Sequence, residues 1–141
     1  MYTGEDLETC VIEVFGDRWL NERALSLQSL AKFEVLTFAV KAELYVAELT
    51  GPGLNLIGTD ANLFASNEYN LTQQWSRQLM AHLQSRDGLR YRSRKNPQKH
   101  NYAIYDTVGA RAGLGVAQGR RLGALRELYP ILDKYQVALI D

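Results

Sequence analysis

In the stretch "LRYRSR", Leu89 to Arg94, a serine stands between two arginines. Around it Arg86, Arg90, Arg92, Arg94, Lys95 and Lys99 face a single nearby acid, Asp87. A planar guanidinium fork grips phosphate oxygens bidentately, so one or two of these arginines are candidates for holding an anionic ligand. The plainer reading is a solvated hairpin whose charges keep an edge strand from pairing with other chains, and composition alone favours it. A nucleic-acid surface over the basic hairpin 86–100 is a weaker alternative, because the cluster is small and acids elsewhere compensate it.

Two more residues could do chemistry. Ser93 lacks the Gly-x-Ser-x-Gly elbow of a hydrolase nucleophile, and neither His82 nor His100 completes a recognisable triad. Strand alternation sets Leu89, Tyr91 and Ser93 on one face and Arg90, Arg92 and Arg94 on the other. Ser93 is therefore either hydrogen-bonded in the interior or turned to a ligand. Glu13 lies beside the apolar positions Leu7, Cys10, Val11 and Val14, where a carboxylate is either the polar edge of a helix or a buried functional acid.

The elements that must position these residues follow from period and punctuation. "GEDLETCVIEVFGD" reads as a short helix, acidic at its start and stopped by Gly16. Tyr2, ahead of it, is expected to fray. Val35 to Val40 and Leu44 to Leu49 read as two strands or one bent one, with a turn at Gly51-Pro52-Gly53. "NEYNLTQQWSRQLMAHLQSRDG" is the clearest helix, through Leu71, Trp75, Leu79 and Leu83, with Gly88 just past its end. "LRYRSR" and "NYAIYD" form strands around an Asn96-Pro97 turn. "VGARAGLGVAQGRR" reads as an irregular connection, "RLGALRELYPILDKY" as a helix interrupted at Pro130, and "QVALID" as a closing strand.

Composition bounds the rest. The 141 residues, 46% hydrophobic, suit one domain, 1–141, with one ordinary core. Sixteen basic and sixteen acidic side chains cancel, which excludes a global field for non-specific nucleic-acid binding. The opening "MYTGEDLETC" is unlike a secretory signal and no apolar run approaches a membrane span, so a soluble cytoplasmic protein is expected. Cys10 is the only cysteine, which argues against a disulfide framework or a zinc site and for a small buried filler.

The stretches "YTGEDLETCVIEVFGD", "LTFAVKAELYVAELTG", "LTQQWSRQLMAHLQSRDGLRYRSRKNP" and "NYAIYD", in this order, resemble the RES domain, named for its Arg, Glu and Ser and known as the toxin half of bacterial toxin-antitoxin pairs. The likeness runs from Tyr2 to about Asp106, with "DGLRYRSR" its most specific part. It implies an α+β, mixed-sheet domain like that of ADP-ribosyltransferases, with NAD as substrate, consumed by hydrolysis, phosphorolysis or ADP-ribosyl transfer, and no metal. It implies Glu13 and Ser93 as catalytic positions, with Glu13 near the ribose and Ser93 orienting it or the ligand. Tyr2 and Tyr91 would line the NAD pocket, and Arg92 is added on the phosphate argument. A cognate Xre-type helix-turn-helix antitoxin would be the partner, with nucleic acid reached only through it, no membrane, and self-association left open. The family's signature arginine falls upstream of its tyrosine, and Arg18 and Arg23, after Glu13, do not match it. A binding remnant that pairs with an antitoxin or with itself is the alternative.

Overall fold

A computed structural model describes residues 1–56, 58, 69–82 and 86–141. The fold is α+β. Its main sheet has the order β1 (Tyr2–Gly4), β6 (His100–Ile104), β5 (Gly88–Arg92), β4 (Val46–Leu49). The first three run antiparallel to their neighbours, whereas β4 lies parallel to β5, which makes the sheet mixed. Parallel neighbours need a long crossover, and this one carries α3 (Pro52–Leu56) and α4 (Tyr69–His82). Leu49, Leu54, Leu79, Leu89 and Ala103 form the core beneath it, with Trp75 packed against them. Leu83 of the expected stripe lies outside the described residues, as does the side chain of Leu71.

Helix α1 (Leu7–Glu22) carries the larger core on one flank, where Val11, Ile12, Phe15 and Trp19 meet Leu30 of the short α2 (Leu27–Leu30), Leu122, Leu128 and Leu132. Phe15 meets Phe33 edge to face at 5.0 Å. The described residues also form two small sheets: β2 (Ala24–Ser26) parallel to β8 (Ala138–Ile140), and β3 (Glu34–Thr37) antiparallel to β7 (Gln118–Arg121). Among the described residues no helix is long and apolar enough to cross a membrane.

Several expectations need correction. α1 does not stop at Gly16. Asp6 caps its start, accepting the Thr9 N–H at 2.8 Å, and the helix ends at Arg23, whose left-handed φ of 49° lets its N–H return to the Trp19 carbonyl. Val14 is exposed rather than part of the apolar stripe. Tyr2 does not fray in backbone terms, because it pairs with Ala103 in β1. The glycine-rich stretch holds α5 (Val108–Gly113), capped by Thr107, and then β7, which takes its partner from β3 far earlier in the chain. Pro130 interrupts nothing: it falls in the first turn of α6 (Leu128–Lys134), where its missing N–H has no intrahelical acceptor, and a separate 3₁₀ turn at Leu122–Ala124 precedes it. Gly88 opens β5 rather than closing the helix before it.

Candidate functional site

The site is built where α1 crosses the end of the main sheet. Gly4 eases that crossing: a Cβ there would lie 3.0 Å from Cys10 Sγ and 3.2 Å from Thr9 Cβ, closer than side chains ordinarily pack. Cys10 is half-buried at this contact, accepting the Gly4 N–H at 3.3 Å, and burial pushes its thiol pKa up. One turn further along α1, Glu13 reaches the sheet.

Cross-strand register decides what it meets. Gly4, Asn101 and Tyr91 form one row across β1, β6 and β5, and Tyr2, Ala103 and Leu89 form the next row on the same face. Asn101 is buried, and its Nδ2 donates to Glu13 Oε1 at 2.9 Å. Ser93 follows β5 directly and is 1% exposed. Its hydroxyl donates to the same Oε1 at 2.5 Å and accepts the Asn96 N–H at 3.0 Å. The turn is closed by the Lys99 N–H on the Asn96 carbonyl and the Ser93 N–H on the Lys99 carbonyl.

Glu13 is only partly buried, and one of its two oxygens is fixed by two neutral donors. Two donors on one oxygen set the direction in which the carboxylate presents the other. The Ser93 hydroxyl, almost wholly buried, is engaged on both sides, as donor to Glu13 and as acceptor from the Asn96 N–H.

The tyrosines share this face. Tyr91 is half-buried, and its phenol is pushed up to about 12, first by burial and then by the charges of Glu13 and Tyr2, which places the three side chains within one electrostatic neighbourhood. The Tyr2 side chain is 65% exposed and offers an open ring. Arg92 is not brought to them. It projects from the opposite face, exposed, with Nη1 donating to the Pro97 carbonyl at 2.8 Å.

The basic hairpin is also answered in space as it is not in sequence. Arg90 pairs with Glu48 at 2.7 Å, Lys99 with Glu5 and Asp6 at 3.2 and 3.0 Å, and Lys95 with Asp17 at 2.9 Å. Asp87, the one acid within the hairpin, instead faces inward. Asn101 is the site residue that sequence reasoning missed. It sits in "NYAIYD", where alternation sets it on the face of Ala103 and Tyr105, and only the β5–β6 register shows that this face is Ser93's.

A mixed-sheet α+β domain thus holds a partly buried glutamate on its first helix by a serine from 80 residues away. The RES domain family model matches residues 1–125, and the chain belongs to that family. No curated protein and no solved structure matches it.

Proposed function

We propose that the chain is a RES-type toxin that consumes NAD at the Glu13 site. In this reading the bond between nicotinamide N1 and ribose C1′ breaks and its electron pair goes to the ring nitrogen, so the departing nicotinamide is neutral. The ribose gathers positive charge, which Glu13 Oε2 stabilises electrostatically. Water, phosphate or a side chain of another protein then forms the new bond to C1′ and releases its proton. Tyr2 and Tyr91 supply aromatic surface for the cationic nicotinamide. The role given to Arg92 has no support from its position. A cognate Xre-type antitoxin covering this cleft would silence it.

The observation that carries the reading is the anchoring of Glu13 Oε1 by Ser93 and Asn101. That arrangement fixes the direction of the carboxylate through two donors that carry no charge of their own. The test is loss of NAD from purified protein, with and without phosphate, and with a protein extract as acceptor. Turnover by the wild type and none by Glu13→Gln is expected. Equal inertness of both with every acceptor overturns the reading.

A further inference from the structure

A cleft of about 460 Å3 opens beside α1, and Glu13 is not among its walls. Trp19 and Arg23 line it from the end of α1, Arg94 and Lys95 from the hairpin, and Tyr135 from the end of α6, with Asp17 beside Lys95. Arg23 and Lys95 thus stand beside one carboxylate of the lining, Asp17, and the carboxylate is the outer member: the Asp17 side chain is 75% exposed while that of Lys95 is 12% exposed. A nearly buried ammonium with its acid at the rim favours a further anion.

The cleft is preformed. Arg23, held in the left-handed conformation, donates Nη1 to the Tyr135 carbonyl at 3.0 Å. Tyr135 in turn donates its hydroxyl to Glu8 at 2.6 Å and leans on Trp19 at 5.4 Å between ring centres, which fixes the orientation of its ring. Lys95 reaches this place through a notch. Gly16, in the middle of α1, leaves the space its stem crosses, since a Cβ there would stand 2.8 Å from Lys95 Cδ. A glycine inside a helix weakens it, so the notch has a cost that the positioned ammonium explains.

Guanidinium and ammonium groups beside a fixed aromatic wall, in a cleft of nucleotide size, match a flat ring that carries a phosphate. We propose that this cleft binds a nucleoside monophosphate, its phosphate between Arg23 and Lys95 and its base against Tyr135. The cleft adjoins the Glu13 site, since Lys95 Nζ also donates to the Glu13 carbonyl at 3.4 Å, but Glu13 is not among its walls and binding there does not depend on NAD chemistry.

Calorimetric titration of the whole chain with AMP, adenosine and inorganic phosphate tests this. AMP is expected to bind about tenfold or more tighter than either fragment, because only AMP engages both the cations and the ring. Added salt should weaken it. Arg23→Gln and Lys95→Met should each weaken AMP by about tenfold or more with thermal unfolding near that of the wild type, while Glu13→Gln leaves it unchanged. The proposal is overturned if AMP does not bind, if adenosine or phosphate binds as tightly, if folded Arg23→Gln and Lys95→Met bind normally, or if Glu13→Gln abolishes binding and so assigns AMP to the other site.

Discussion

Ser93 Oγ lies 2.5 Å from Glu13 Oε1, and this bond joins the first helix to the end of β5 across 80 residues of chain. Because Asn101 donates to the same oxygen, the two donors act on one coordinate, the direction of the carboxylate. Ser93→Ala should therefore lower kcat for NAD loss by roughly ten- to a hundredfold, the kinetic equivalent of about 1.5–3 kcal/mol for a hydrogen bond to a charged group, with KM little changed. Asn101→Ala should act in the same direction. The double variant should lose less than the product of the two, since neighbours in one network are not additive. A change confined to KM, or simple multiplication of the two losses, would count against a shared positioning role.

That pair also shows how far the sequence carries. Alternation in "LRYRSR" separates Ser93 from its arginines correctly, because a strand has period two whatever its neighbours are. Glu13 and Ser93 become a pair only through likeness to a family, since no local rule links a helix to a strand end so distant. Asn101 stays hidden for the same reason. The hairpin's charge is misjudged from linear counting, because its carboxylates Glu48, Glu5, Asp6 and Asp17 arrive from other elements. Gly16 is misjudged as a stop because its reason is the Lys95 side chain, 79 positions later in number and invisible to helix rules. The β3 to β7 pairing is likewise long-range.

Asp87 is a structural acid, not a member of the basic surface. Its Oδ2 accepts the Tyr45 N–H at 3.0 Å and its Oδ1 the Thr107 hydroxyl at 2.6 Å, tying the entry of β4 to the start of α5. Asp87→Ala leaves both donors unpaired and should cost about 2–4 kcal/mol by denaturant unfolding. The Thr107 bond, followed by the Tyr45 bond, holds its carboxyl below the ordinary range. A depressed folded pKa gives stability that is present above the unfolded value, near 4, and is lost as pH falls through the folded value. The advantage of wild type over Asp87→Asn should accordingly shrink as pH falls below about 4. An advantage that stays constant through that range would show that the charge does not matter.

Tyr91 makes the opposite prediction at alkaline pH. Its phenol, pushed up to about 12 by burial and then by Glu13 and Tyr2, stays protonated in the fold where the unfolded chain would ionise near 10. A raised pKa gives stability present below the unfolded value and lost as pH rises through the folded one. Relative to Tyr91→Phe, the wild type should lose stability between about pH 10 and pH 12, with no such slope from pH 7 to 9. Parallel unfolding profiles for the two proteins would remove Tyr91 from the charged neighbourhood of Glu13.

Gly16 separates helix propensity from the placement of Lys95. Replacing a helix-interior glycine by alanine is worth up to about 1 kcal/mol to the helix. The new methyl would stand 2.8 Å from Lys95 Cδ and 3.4 Å from Ile12 Cγ2, so the flexible lysine must swing aside while the backbone keeps its course. Gly16→Ala should therefore melt at the same temperature as wild type or slightly higher, yet lose the Lys95 ammonium from its place between the Glu13 carbonyl and Asp17. Thermal melts and AMP titration read the two effects apart. In a Lys95→Met background the same substitution should raise the melting temperature and leave AMP affinity untouched, because no ammonium remains to displace. A marked loss of stability in either background would mean that the notch serves backbone packing and not the lysine.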